Sequence, residues 1–374
     1  MKYVSLLIKP VSGSCNMRCK YCFYRDISDK RSVENFGRMS DETLETLVKK
    51  TLETCEEGCS FAFQGGEPTL AGLDFFKKLV AFVNKYNTKG VKVSYALQTN
   101  GLDLGDDWAE FFRNENFLIG VSLDGDKKLH EASRVDVKGK GTFSRIMNTI
   151  ERFNKYGVDY NILCVLTSYV ARHPEKIYRF FKNNGFKYIQ FIPCLDPLGE
   201  ERGTNFYSLT PKRFESFFKR IFDLWYADCK MHQGISIRHF DNWLGLLLGY
   251  PPENCAMSGR CATYFVVEAN GSVYPCDFYV TDEWELGNIQ TDSFEDMAKS
   301  ERSKSFIAGS GALSEECAQC RHYYLCRGGC RRDRVESGDS KTINYYCEAY
   351  KSFFDYSIDR LREIASMDKH PYGL

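Results

Sequence analysis

The sequence predicts an α/β fold, with six strand–helix units building a parallel sheet and a smaller cysteine-rich domain after them. Three observations carry that expectation. Short apolar runs alternate with amphipathic helical patterns from Val4 to Ile192. Polar and glycine-rich residues gather where those runs finish, the end of a parallel sheet at which chemistry sits. The composition then changes at Cys255, the first of eight of the sixteen cysteines that lie from there to Cys347.

Taken in order, the strands are Val4–Ile8, Ser60–Phe63, Lys92–Leu97, Phe117–Leu123, Tyr160–Leu166 and Tyr188–Ile192. Ser40 reads as the cap of a helix with Leu44, Leu47, Val48 and Leu52 on one face. Further helices are expected over Leu73–Tyr86, Asp106–Asn114, Phe143–Tyr156 and Pro174–Asn184. This alternation implies right-handed crossovers, but propensity does not separate a partial barrel from an open sheet. The rhythm breaks between Cys194 and Ser208, and a long helix from Pro211 to Asp228 carries a core stripe of Phe214, Phe217, Phe218, Ile221, Phe222 and Trp225. Thr263–Glu268 and Ser272–Pro275 read as a hairpin about Asn270-Gly271. The domains are placed at residues 1–235 and 236–374.

The 374 residues carry 50 basic and 50 acidic side chains, so no global field draws the chain to nucleic acid or an anionic membrane. No apolar run reaches membrane-spanning length, and the first thirty residues lack a signal-peptide pattern. Sixteen cysteines without an export signal point to a cytoplasmic metalloprotein rather than a disulfide framework.

Cys15-x3-Cys19-x2-Cys22 follows the first strand directly. Three close thiolates can hold a cubane iron–sulfur cluster and leave its fourth iron open to a small molecule. A zinc knuckle is the alternative, although no fourth Cys or His lies nearby. The spacing, with an aromatic beside the last cysteine, resembles the signature of radical S-adenosylmethionine (SAM) enzymes, in which the open iron chelates SAM. That resemblance favours a partial (β/α)6 TIM-like barrel.

The run Cys261-x9-Gly271-x4-Cys276, followed by Cys317-x2-Cys320-x5-Cys326-x3-Cys330 and Cys347, resembles the SPASM extension of peptide-modifying radical SAM enzymes. By that resemblance, Cys255, Cys261, Cys276 and Cys330 hold one auxiliary cluster, and Cys317, Cys320, Cys326 and Cys347 hold a second. The total is then three [4Fe-4S] clusters. A pair of structural zinc sites is the alternative that Cys-x2-Cys spacing also permits. Cys55, Cys59, Cys164, Cys194 and Cys229 are assigned no role, since buried free cysteine is ordinary.

Gly65-Gly66-Glu67-Pro68 resembles the segment that contacts the SAM amino group. Ser122 and Asp124 resemble polar positions around the SAM ribose and methionine. Arg134 is a candidate partner of its carboxylate, with a surface role as the alternative. Gln64, Gln98 and Asn100 are further pocket candidates. Ser60-Phe-Ala-Phe-Gln-Gly-Gly-Glu-Pro-Thr, Tyr274-Pro-Cys-Asp-Phe-Tyr-Val and Asn344-Tyr-Tyr-Cys together resemble the anaerobic sulfatase-maturating enzymes. The resemblance extends to Leu6-Leu-Ile-Lys-Pro and Gln190-Phe-Ile-Pro-Cys-Leu-Asp-Pro.

It implies oxidation of a Cys or Ser in a sulfatase Cys/Ser-x-Pro-x-Arg motif to Cα-formylglycine. A 5′-deoxyadenosyl radical takes a Cβ hydrogen, and Asp277 removes the thiol or hydroxyl proton. A cap or loop carboxylate is the plainer reading of Asp277, and Tyr24 reads equally as channel lining or packing. A flavodoxin or ferredoxin is the expected electron donor. The rival enzyme is a SPASM maturase forming a thioether or other cross-link in a ribosomal peptide. The absence of an obvious peptide-recognition domain before the triplet speaks against it. An iron–sulfur redox carrier and a zinc-binding interaction module are the non-enzymatic alternatives. The tail Met367–Leu374 carries no readable signal.

Overall fold

The computed structural model describes residues 1–337 and 341–367; most of the tail, from residue 368, lies outside them. The six expected strands are present: β1 (Tyr3–Ile8), β2 (Gly58–Phe63), β3 (Lys92–Thr99), β4 (Phe117–Ser122), β5 (Tyr160–Leu166) and β6 (Tyr188–Pro193). They are followed by β7 (Ser236–Ile237), β8 (Phe265–Val267), β9 (Ser272–Tyr274) and β10 (Gly287–Asn288). The chain divides into two compact units. One contains residues 1–122, 133–160 and 262–307, the other residues 123–132, 161–261 and 308–374.

In the first unit β1 pairs in parallel with β2, β2 with β3, and β3 with β4. Alternation along β1 buries Val4, Leu6 and Ile8 and leaves Tyr3 exposed, the period-two pattern of a half-buried strand. The expected hairpin forms from β8 and β9, with Asn270 Oδ1 accepting from Ser272 N at 3.1 Å and Gly271 at φ 88°. Such a φ favours glycine. Its placement is new information: β8 adds in parallel to the free edge of β1, with Ile8 opposite both Phe63 and Val267. A segment more than 250 residues downstream therefore extends the N-terminal sheet.

The helix Asp41–Thr54 starts where Ser40 Oγ accepts from Thr43 N at 3.1 Å, and it buries Leu44, Leu47, Val48 and Leu52. Helices Leu73–Tyr86 and Asp106–Asn114 supply an aromatic core. The Phe76 ring lies 5.0 Å from Phe63 and 5.5 Å from Trp108, and Phe112 lies 5.5 Å from Phe117.

In the second unit β5, β6 and β7 pair in parallel. The helix Pro211–Lys230 buries the whole expected stripe from Phe214 to Trp225. That stripe meets the C-terminal helix Cys347–Ala365 and the helix Arg238–Leu247. Phe214 stacks on Tyr346 at 4.7 Å, Phe222 contacts Phe353 at 5.7 Å, and Trp243 contacts Phe353 at 5.0 Å. Each fully buried aromatic contributes about 1.5–3 kcal/mol, so this stripe, not the exposed Lys230–Glu363 pair, holds the last helix in place.

Replacing Ser40 by Ala removes a helix cap, together with a 3.0 Å contact to Thr43 Oγ1. It should cost about 1 kcal/mol of stability, read as a lower first melting midpoint with unchanged iron content.

Candidate active site

The loop after β1 carries Cys15, Cys19 and Cys22, all half-buried, and Cys22 stands at the N-cap of the helix Phe23–Asp29. The loop rests directly on the Gly-Gly-Glu-Pro turn at the end of β2, where Glu67 N donates to Ser14 O at 2.8 Å. Gly66 has φ 56°, and a Cβ there would overlap Ser14 O and lie 2.9 Å from Ser12 O. The glycines are thus required by the cysteine loop itself, whatever else approaches the turn. The Glu67 side chain is also committed within the fold. Its Oε1 accepts from Thr69 N (3.1 Å), Thr69 Oγ1 (2.7 Å) and Thr99 Oγ1 (2.8 Å), and its Oε2 accepts from Asn100 N (2.7 Å). Burial pushes the Glu67 carboxyl up, and those donors pull it back. This carboxylate ties the end of β2 to the end of β3.

Two groups turn toward the triplet. Asn100 Nδ2 donates to Asn16 Oδ1 at 2.8 Å and lies 3.7 Å from Cys15 Sγ. Arg134 is buried, with Nη1 3.9 Å from Cys19 Sγ and its guanidinium 5.4 Å from the Tyr21 ring centroid, so it does not take the surface position. Met17 N donates to Cys15 Sγ at 3.4 Å, although burial, the larger effect, raises that thiol to about 11. Gln98 is half-buried near the end of β3, two residues from Asn100, and Ser122 closes β4. Asp124 belongs to the second unit, where its Oδ1 accepts from Val165 N at 2.9 Å.

The donor set in the triplet loop is three thiols, which suits a cubane cluster ligated on three of its irons.

Also in the first unit, Asp277 opens the short turn after β9 and is buried. Its Oδ2 accepts from Tyr24 Oη at 2.7 Å and from Gln64 Nε2 at 3.4 Å. Its Oδ1 accepts no hydrogen bond among the described residues and lies 3.7 Å from Lys9 Nζ. Lys9 is buried as well, 3.7 Å from Glu268 Oε1 and 4.9 Å above the Tyr24 ring, and Arg31 Nη1 meets the same Glu268 oxygen at 2.5 Å. Burial pushes the Asp277 carboxyl up, while Lys9 and Tyr24 oppose the shift. Tyr264 Oη accepts from Asp277 N at 3.1 Å and lies 3.6 Å from Cys276 Sγ.

The second unit gathers Cys317, Cys320, Cys326 and Cys347 around one cavity, also lined by His322, Tyr323, Tyr350, Lys351 and Phe354. Burial raises Cys326 to about 11 and Cys347 to about 12, and the neighbouring sulfurs push the same way. Cys255, Cys261 and Cys330 lie in this unit too, whereas Cys276 lies in the first. Arg332 N donates to Cys330 Sγ at 3.4 Å. Cys55, Cys59, Cys164, Cys194 and Cys229 are buried away from solvent.

Residues 10–181 match the radical SAM superfamily model and residues 255–321 an iron–sulfur cluster-binding domain model, SPASM. The chain is 47% identical over 366 residues to a cysteine-type anaerobic sulfatase-maturating enzyme of Clostridium novyi (strain NT), covering 98% of both chains. It belongs to the anaerobic sulfatase-maturating enzymes. A serine-type member from Bacteroides thetaiotaomicron is 32% identical, covering 95% of this chain and 89% of that one. A solved structure described as native anSMEcpe with bound AdoMet and Cp18Cys peptide superposes with a TM-score of 0.92 at 48% identity, covering 97% and 99% of the two chains. The chain is thus a radical SAM enzyme of the sulfatase-maturating family, with an iron–sulfur cluster-binding SPASM domain. Among the described residues no helix is long and apolar enough to cross a membrane.

Lys9, Arg31 and Glu268 escaped the sequence reading. A lysine directly after an apolar strand and a glutamate at a hairpin turn look like solvent-facing residues, and only the β1–β8 pairing buries them together.

Gly66→Ala in this maturase should displace the Ser12–Ser14 loop and lower the iron bound at the triplet. Iron content and the visible absorbance of the reconstituted protein measure the loss; full loading would contradict the packing argument.

Proposed function

We propose that the chain oxidises a cysteine of a sulfatase Cys-x-Pro-x-Arg segment to Cα-formylglycine, with Asp277 as the base. The observation that carries this reading is the Asp277 carboxylate. One oxygen is fixed by Tyr24 and Gln64 while the other is buried and accepts no hydrogen bond among the described residues. A buried carboxylate left half-satisfied costs stability, and a role in accepting a proton accounts for it. The greater identity to the cysteine-type than to the serine-type relatives, 47% against 32%, supports cysteine as the residue oxidised.

When bound, a cluster on Cys15, Cys19 and Cys22 together with SAM would supply a hydrogen-abstracting carbon radical. Backbone at Gly65 and Gly66, with Gln64, Gln98, Asn100, Ser122, Asp124 and the Arg134 guanidinium, would orient SAM; Glu67 would act by bracing that turn. In the substrate cysteine one hydrogen atom leaves Cβ and the thiol proton passes to Asp277. One electron leaves the resulting carbon radical, giving a thioaldehyde. Water then converts it to the aldehyde with release of hydrogen sulfide. Lys9 opposes the upward shift that burial imposes on the Asp277 carboxyl, and Tyr24 fixes its orientation.

The remaining cysteines would hold two auxiliary clusters, one on Cys255, Cys261, Cys276 and Cys330 and one on Cys317, Cys320, Cys326 and Cys347, making three in all. They would take up the substrate electron or hold their surroundings together. A flavodoxin or ferredoxin would reduce the first cluster, and the cytoplasm is the compartment we assign. In functional terms residues 1–235 generate the radical and residues 236–374 direct it.

Asp277→Asn should leave iron loading and uncoupled SAM cleavage intact and lower aldehyde formation by about 10²-fold or more, followed by mass spectrometry of the peptide. Normal product yield would remove the assignment. A Cys-x-Pro-x-Arg peptide should also turn over with a higher kcat/KM than its Ser counterpart, and the reverse order would sink the cysteine reading.

A further inference from the structure

We propose that the exposed cations flanking the cysteine triplet, Arg18, Lys20, Lys138 and Lys140, form the docking surface for an acidic flavodoxin that delivers the electron. The inference rests on the reading that a low-potential carrier reduces the first cluster, and it goes beyond it in naming the carrier and the surface.

The surface is built on the backbone of the triplet loop itself. Residues 16–20 run antiparallel to residues 133–137: Lys20 N donates to Ser133 O at 3.0 Å, Arg18 N to Val135 O at 2.8 Å and Val137 N to Asn16 O at 3.3 Å. Alternation along this ribbon turns Met17 inward and Arg18 and Lys20 outward, with half-buried Cys19 between the two cations. Its other strand leads into a tight turn, where Gly139 N donates to Asp136 O and Asp136 N to Lys140 O, both at 2.9 Å. Asp136 Oδ1 also accepts from Lys138 N and Lys140 N, each at 2.9 Å, so both lysines project from a backbone that is already fixed.

The charge on this face is one-sided. Residues 16–20 and 133–141 expose four cations, and their single acid, Asp136, is buried with Oδ2 3.3 Å from Arg145 Nη1. Arg18, Lys138 and Lys140 form no ion pair among the described residues. In a chain with 50 basic and 50 acidic residues this segregation is local, and it steers an anionic partner to the triplet rather than to the molecule at large. Val137, next to Lys138, is 53% exposed. An apolar contact among cations suits a flavodoxin, whose flavin presents an apolar ring edge surrounded by acidic side chains. Electron-transfer encounters need only a small interface, about 1,200 Å² or less in total. A carrier seated here stands beside the backbone of Cys19; its reduced flavin loses one electron and the cluster at the triplet gains it.

The test measures binding of a purified acidic flavodoxin to the reconstituted full-length enzyme by calorimetry, and the rate of 5′-deoxyadenosine formation with no peptide present. Combining Arg18→Glu, Lys138→Glu and Lys140→Glu should weaken the complex by about 10-fold or more at low ionic strength, and added salt should close the gap to the wild type. The triple variant should lose a similar factor in flavodoxin-driven SAM cleavage and none in dithionite-driven cleavage. Lys77→Glu, an exposed reversal on the helix Leu73–Tyr86, should change neither. Unchanged binding, an equal loss with dithionite or in Lys77→Glu, or sensitivity to the reversals with a ferredoxin but not with flavodoxin would each overturn the proposal. If Arg18→Glu, beside Cys19, lowers the iron content, the double variant Lys138→Glu, Lys140→Glu decides, and an unmoved dissociation constant there is the overturning result. Flavodoxin-driven cleavage that runs undiminished through the reversals would strike the surface and leave the carrier reading standing. Full iron loading with no oxidation of any sulfatase peptide would instead defeat the proposed function and leave both measurements intact.

Discussion

The first unit depends on a buried set of two cations and two carboxylates: Lys9 and Arg31 against Glu268 and Asp277. The four come from the end of β1, the segment after the first helix, the hairpin turn and the residue beside Cys276, so one balanced network binds three stretches of chain. Removing one member would leave an uncompensated charge in the interior, typically a loss of several kcal/mol, whereas the intact set is nearly neutral in net terms. The network therefore specifies an arrangement more than it strengthens one. The arrangement it specifies is the seating of the hairpin on β1, with Asp277 beside the loop of the triplet.

Periodicity made most of the scaffold legible. The helices Leu73–Tyr86, Asp106–Asn114 and Phe143–Tyr156 match their expected bounds, because each carries a continuous apolar face between clear stop signals. The hairpin was equally plain from Asn270-Gly271. Its partner was not: the parallel pairing of β8 with β1 is a contact between distant segments, and no local pattern records which edge a strand will join. For the same reason the sequence could pick out Asp277 by motif, and Gln64 and Tyr24 as candidates, yet not show that they and Lys9 surround that carboxylate.

The motif residues also divide by what they do physically. Glycines in a βα turn suggest close approach by a ligand, but Gly66 is first required by Ser12 and Ser14 of the neighbouring loop. Glu67, which the motif marks as part of the segment contacting the SAM amino group, is a fully bonded brace between two strand ends. Arg134, for which burial and exposure were both open, stands against Cys19. Each case turns on solvent access, a property that residue type alone does not encode for short loops.

Cys347 begins the helix Cys347–Ala365, whose buried face closes the aromatic core of the second unit. A cluster ligated there, as proposed, would make metal binding and folding of that helix linked equilibria, with free energy released by either available to the other. Iron supply would then become a folding variable for this chain. Oxygen, by destroying a cluster, would act as a denaturant confined to one unit, so that chemical damage to the metal registers as loss of structure at the C-terminal end.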